Sequence, residues 1–282
     1  MNDTLPFATE KREMFGTIAS LLVCPDCHRD LTVSDNSLTC GSCKHSYEVS
    51  DGVPLLARTG SSEQWGCESD GATSVDYQVE FQKADIGPRY QQCYKDRWSK
   101  RRVTRREIRC IRKLLAAQPR SQRMLDIPCG GGRVSGPLAN ATDLLLQADI
   151  SLGQVQTARQ VMSSQQSIAW FTASAFLIPM KDGAVDAILC NRLSHHLPAV
   201  EREQLIRELL RVASQFVILS YYDHDSFKSL GRRLRGRDPG HTLRRKDLHA
   251  LAEQNGAFVQ TDVPLWYLGS RLRYAVLQKR AA

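Results

Sequence analysis

Two stretches of this chain hold residues whose types and spacing could do chemistry. Cys24, Cys27, Cys40 and Cys43 stand as C-x2-C-x12-C-x2-C within LLVCPDCHRDLTVSDNSLTCGSCKHSYEVSDGVPLLA, residues 21–57. Each C-x-x-C sets two thiolates on one tight knuckle, and two knuckles complete a tetrahedron with Zn–S of about 2.3 Å. Four sulfurs leave no open position, so the expected ion is a structural zinc, with His28 and His45 left at the surface. A segment this short has little core of its own, and metal binding would supply most of its folding energy.

The second stretch is MLDIPCGGGRVSG, residues 124–136, in which an acid precedes three glycines. Consecutive glycines serve where the backbone turns tightly or where a ligand approaches it closely. A dinucleotide fingerprint needs G-x-G-x-x-G, and here Ser135 stands where the third glycine belongs. A nucleoside without a pyrophosphate needs close backbone approach and a carboxylate for its ribose diol. Asp149, closing the next apolar run, is placed to accept both ribose hydroxyls in charge-assisted bonds. Asp126 lies near the loop, where it can orient it or meet an ammonium through water. This points to S-adenosylmethionine.

These residues need a frame. After a helix over 96–118 the pattern becomes strand, glycine turn, helix, strand, with further unalternated apolar runs at 185–191 and 215–222 and helical segments at Gln154–Met162 and Ala199–Val212. Unalternated strands between helices mean a parallel sheet covered on both faces, with its ligand beyond the carboxyl ends of the strands. The expected fold is α/β: a Rossmann-like, doubly wound, mostly parallel seven-stranded sheet, preceded by a small zinc-ribbon β domain. The expected divisions are an N-terminal tail at 1–19, the ribbon at 20–58, a Gly/Ser-rich acidic linker at 59–85 with Cys67 as an incidental thiol, and the large domain at 86–282.

No apolar run reaches the roughly 18 residues that span a bilayer, and the charged N-terminus lacks the apolar core of a signal peptide. Nine cysteines are an odd number; with four at metal spacing they favour a reducing cytoplasm over a disulfide scaffold. The net charge of +8 is unevenly placed: residues 95–113 hold ten Lys/Arg against two acids, and 228–249 hold eight against two. Such runs are either solvated helix faces or contacts for an anionic partner.

The tail of the cysteine segment, SYEVSDGVPLLA (46–57), resembles the small zinc-ribbon family of the Trm112 type, which is fused to or partners with methyltransferases. That resemblance implies scaffolding or substrate presentation and a protein partner at the ribbon. The glycine loop with Asp126, Pro128, Gly130 and Gly132, the post-loop acid in ADIS, the stretch ASAFLIPMKDGAVDAILC (173–190) and the loop CNRLSHHLP together resemble the class I methyltransferase superfamily. The resemblance implies cofactor contacts at Asp126, Pro128, Cys129, Gly130, Gly132, Asp149, Ile150, Ser174, Ala175, Phe176 and Asn191. The chain departs from the family pattern in three places. Pro128 replaces the first glycine, Ser174 stands where an Asp meets adenine, and the Pro-Gly-Gly turn before the fifth strand is missing.

A sulfonium methyl is already activated, so the main task is to align a nucleophile with it. A base is needed only for a protonated acceptor. His195 and His196 are the candidates, with Tyr221, Tyr222 and Asp223 after the fifth strand. The region 229–258 commonly forms a substrate lid in this superfamily, and Arg232, Arg233, Arg235 and Arg237 suggest that it clamps anions. Three readings follow: methyl transfer to an acidic or phosphorylated small molecule, lipid or glycoconjugate; methylation of an RNA base; or a non-catalytic adaptor with a vestigial fold.

Overall fold

The computed structural model describes residues 18–34, 37–57, 97–238, 240–266 and 270–280; the expected tail over 1–17, the linker over 59–85 and Cys67 lie outside them. The continuous apolar runs are strands buried on both faces. β5 (Ser121–Asp126), β6 (Thr142–Asp149), β7 (Ile168–Thr172), β8 (Val185–Cys190) and β9 (Ala213–Tyr222) are parallel, and β10 (Ala257–Pro264) with β11 (Leu272–Lys279) adds an antiparallel hairpin. The order across this seven-stranded sheet is β10-β11-β9-β8-β5-β6-β7, so the chain reverses direction between β5 and β8. Ligands of open α/β sheets bind at such a reversal.

Successive strand residues feed opposite faces. Leu125, Leu146, Ile188 and Val217 enter one core, while Met124, Leu145, Ala187 and Ile218 enter the other. Helix α1 (Trp98–Ala116) covers the second with Ile111, Leu114 and Leu115, and α4 (Ala199–Val212) covers the first with Leu205, Ile206 and Leu209. The short α2 (Gly136–Ala139) and α3 (Leu152–Val161) follow the glycine loop and β6; α5 (Phe227–Leu234) and α6 (Arg245–Gln254) lie between β9 and β10.

The four short strands β1 (Leu31–Val33), β2 (Ser37–Cys40), β3 (Ser46–Ser50) and β4 (Val53–Pro54) form an antiparallel sheet in that order. This small sheet does not stand apart. Leu22, Leu38 and Leu56 share a core with Phe171 and Met180. The Val23 N–H donates to the Pro179 carbonyl at 2.9 Å, the Ala57 N–H donates to Thr172 Oγ1 at 3.1 Å, and Leu55 makes a parallel bridge to Thr172. The ribbon therefore covers the β7 edge, whose open N–H and C=O groups would otherwise invite another chain. At the end of the expected tail, Ile18 and Ala19 are only 2% and 5% exposed and belong to the shared core.

Candidate functional site

The carboxyl ends of β5, β6, β7 and β8 enclose a cavity of roughly 870 Å³ including its mouth. Nine of the eleven residues expected at a cofactor line it: Pro128, Cys129, Gly130, Asp149, Ile150, Ser174, Ala175, Phe176 and Asn191. Gly130 has φ +52°, and a Cβ there would meet nothing within 4 Å, so bare backbone faces open space. Asp149 is buried, and its carboxylate accepts from the Gly130 N–H at 2.9 Å and the Ser151 N–H at 3.0 Å. Burial raises its pKa to about 6, against the pull of those N–H groups. Gln154, in the first turn of α3, also lines the cavity, and its Oε1 is buried without a partner.

Asp126 and Gly132 support the cavity from outside its lining. A Cβ on Gly132 would stand 3.2 Å from Ala158 Cα, so this glycine lets the loop pack on α3. Asp126 is fully buried beneath the loop; the Ser135 hydroxyl donates to it at 2.5 Å, and Gln147 Nε2 donates to that hydroxyl at 2.7 Å. Burial lifts its carboxyl to about 7. The same burial pushes the Cys129 thiol up, consistent with a space-filling residue rather than a nucleophile. Ser174 Oγ accepts from the Phe176 N–H at 3.3 Å, which ties down that turn of the wall.

A second cavity, roughly 600 Å³, adjoins the first through Arg192. It is formed at the ends of β9, β10 and β11 by Val103, Arg192, Tyr222, Lys228, Leu265, Trp266, Ser270, Arg271 and Leu272. Arg192, Lys228 and Arg271 are cations, and no acid is among the described lining residues. The Arg271 guanidinium lies 3.9 Å from the centre of the Tyr222 ring, whose other contact is His195 at 4.0 Å. Arg106 sits 4.6 Å from the centre of the Trp266 ring.

One buried acid braces both cavities. Glu107, the lone acid inside the basic helix α1, is fully buried and pairs with Arg133 and, at 2.7 Å, with Arg192 Nε. Tyr274 donates to Asn191 Oδ1 at 2.9 Å and lies 3.4 Å from the same glutamate. Arg192 adopts φ +65°, rare for a side chain with a Cβ, and its N–H donates to Ser220 Oγ at 2.7 Å. Sequence reasoning missed Glu107, Arg133, Arg192, Gln154, Trp266 and Arg271. The available signals were an acid alone among cations in α1 and an arginine directly after the fourth parallel strand.

Other expected residues fall elsewhere. His195 and His196 form a 3₁₀ turn outside both linings, and burial with nearby cations lowers them to about 2 and about 4. Tyr222 lines the second cavity, whereas Tyr221 points into the core and donates to Asp262 at 2.7 Å. Asp223 is buried, 3.7 Å from Arg273. Arg232 and Arg233 donate to the carbonyls of Asp238 and His224, and neither they nor Arg235 and Arg237 line either of these two cavities. Lys228, one position before the expected lid, lines the second cavity.

In the ribbon the four cysteines converge, all sulfurs lying within 4.8 Å of one another, with Cys24–Cys43 at 3.5 Å and Cys27–Cys40 at 3.4 Å. Sulfurs on a zinc tetrahedron stand about 3.8 Å apart, given Zn–S near 2.3 Å, so the donor set fits that ion. Tyr47 donates to Asp26 at 2.6 Å and lies 3.1 Å from Cys24 Sγ. His45 is exposed and pairs with Asp26, and His28 is exposed.

Residues 125–218 match a family described as a methyltransferase domain, and residues 17–52 match the Trm112p-like proteins. The chain is 29% identical over 118 residues to the magnesium-protoporphyrin O-methyltransferase of Synechocystis, an alignment covering 41% of this chain and 50% of that protein. It thus spans about half the length of this curated relative. The crystal structure of magnesium protoporphyrin IX methyltransferase from Synechocystis with bound S-adenosylhomocysteine aligns with a TM-score of 0.61 at 17% identity, over 73% of this chain and all of that one. The same protein with bound S-adenosylmethionine gives 0.59 at 18%, over 76% of this chain and all of that one. At these identities the structural likeness speaks for the fold, and the family matches speak for its two parts. The chain thus pairs a segment matching a methyltransferase domain with an N-terminal segment matching the Trm112p-like proteins, on a fold shared with the Synechocystis enzyme.

Proposed function

We propose that this chain is an S-adenosylmethionine-dependent methyltransferase whose acceptor already carries a negative charge. The observation that carries the reading is the adjacency of two cavities of different make-up, one formed around the glycine loop with the buried Asp149, the other of cations and aromatic rings.

The first cavity fits an adenosyl sulfonium. Gly130 leaves room for close approach, Asp149 offers carboxylate oxygens to a ribose diol, and Gln154 Oε1 is a buried acceptor awaiting a donor. Ser174, Ala175 and Phe176 wall the end assigned to adenine. Once bound, S-adenosylmethionine supplies a methyl group that needs no further activation.

In the second cavity Arg192, Lys228 and Arg271 would hold the acceptor's anionic group while Tyr222 and Trp266 flank its apolar body. With the acceptor anion held there, the bound cofactor would supply its methyl group to the acceptor oxygen, the carbon–sulfur electron pair staying with sulfur. A carboxylate and a sulfonium would become a neutral ester and a neutral thioether, so excluding water would favour the step. His195 and His196, depressed to about 2 and 4, are weak bases at neutral pH, and a carboxylate or phosphate oxygen needs no base. The Synechocystis relative is by name an O-methyltransferase, in agreement with oxygen as the acceptor atom. A zinc at Cys24, Cys27, Cys40 and Cys43 would hold the ribbon against β7 as a scaffold. The thiols of the described residues are free, which suits a reducing cytoplasm.

The test is transfer of labelled methyl to extract fractions, followed by mild alkali. Label released as volatile methanol identifies a carboxyl methyl ester and supports the reading. Label fixed in RNA, or on nitrogen and stable to alkali, overturns the acceptor class. Calorimetry without heat of S-adenosylmethionine binding overturns the cofactor and leaves the adaptor.

A further inference from the structure

α5 is built inside out. An ordinary surface helix turns its apolar stripe to the core and its charges to water. Here Phe227, Leu230 and Leu234, spaced along one face, are 78%, 41% and 79% exposed. The buried side is Ser229, whose hydroxyl donates to the Asp223 carbonyl at 2.7 Å, with Ser226 capping the helix through the Ser229 N–H. Arg233 on one flank donates to the His224 carbonyl at 2.8 Å. Polar bonds thus fix the helix to the fold and hold its apolar face outward. Lys228 and Arg235 flank the other side, both exposed, and Arg237 follows.

We propose that α5 is an interfacial helix that seats the protein on a bilayer rich in anionic phospholipid. Phe227, Leu230 and Leu234 would enter the boundary between headgroups and acyl chains, and the flanking cations would meet lipid phosphates. Charge complementarity selects this occupant. A second copy would bring Lys228, Arg235 and Arg237 against their own kind, and an RNA backbone would lay its phosphates on a phenylalanine and two leucines. Lys228 also lines the second cavity, so the docked helix sets the mouth of that cavity at the lipid surface. The surface stands independently of the methyl-transfer reading, because it rests on α5 alone.

Flotation of the full chain with vesicles of pure phosphatidylcholine, and of phosphatidylcholine with one third phosphatidylglycerol, tests it. The expected result is binding to the anionic vesicles only, weakened by salt. Leu234→Gln and Phe227→Gln should each weaken it roughly tenfold, and Arg235→Gln by roughly fivefold. All three side chains are exposed, so thermal unfolding of the variants should match the parent. Equal binding by the glutamine variants, or no binding to either vesicle, overturns the proposal. So does concentration-dependent self-association, or retention of RNA, that the same variants abolish. Slow amide exchange of α5 in the free chain, with no vesicle binding, would show that the chain's own residues cover it and would equally overturn it.

Discussion

On the β5–β7 side of the sheet's carboxyl edge, the cavity is lined by the glycine loop with Asp149, Gln154 and Arg133; on the β9–β11 side it is lined by Lys228 and Arg271 set beside Tyr222 and Trp266, and Arg192 belongs to both. The first side is walled beyond β7 by the ribbon, the second by the antiparallel hairpin. The two cavities differ in composition: the first sets Asp149 and Gln154 beside Arg133 and Arg192, while the second holds cations and aromatic rings with no acid among its described lining residues. Glu107 is common to the two, since Arg133 lines the first cavity and Arg192 lines both.

Removing zinc should break the comparison most forcefully. Structural zinc in small cysteine sites has apparent binding energies of about 10–16 kcal/mol. Chelation is expected to lower the melting temperature and to raise amide exchange in β7 well before β11. Matching exchange in both strands would show that the ribbon braces the whole sheet alike. Glu107→Gln comes next: it leaves two partly buried guanidiniums without their acid, at a cost of about 3–5 kcal/mol. Chemical denaturation should report it, and a loss below about 1 kcal/mol would remove Glu107 as the shared strut.

Two substitutions should then separate the halves. Asp149→Ala is expected to weaken S-adenosylmethionine by roughly 100-fold, two charge-assisted hydrogen bonds being lost. Arg271→Ala should raise the acceptor KM roughly tenfold and leave the cofactor Kd alone. If each variant disturbed both constants equally, the division of labour would fail.

The gentlest effect is on pH. Asp126 is held near 7 by burial, above its ordinary value of 3.8. From about pH 4 to 7 the folded chain keeps a proton that the unfolded chain has released. This group's contribution to stability is therefore full below about pH 4 and declines as pH rises through that window. Asp126→Asn should flatten the slope of stability against pH there; an unchanged slope would show that the carboxyl ionises freely.

Much of this arrangement could be read in the chain, for a local reason. The cysteine spacing, the glycine loop and the acid ending β6 lie within short stretches, and apolar runs between helical segments declared the parallel sheet. α4 was delimited at Ala199–Val212, as found. What escaped depends on pairs far apart in sequence. Glu107 and Arg192 are 85 positions apart, and no periodicity joins them. The arginines of 232–237 were expected to clamp an anion because charge is visible in sequence, whereas the direction a helix faces is not. For His195 the chemistry is legible in the chain, whereas the desolvated position that lowers its basicity is not.

The seal on β7 has a consequence for how the molecule is made. The ribbon leaves the ribosome before β7, and Ala57 must wait 115 positions for its acceptor, Thr172. A chain already carrying its metal holds a finished clasp when the last parallel strand on that side arrives, so the strand is never displayed bare. A chain made under metal starvation would present it to its neighbours and aggregate through it. Supply of the ion would then govern the yield of folded protein.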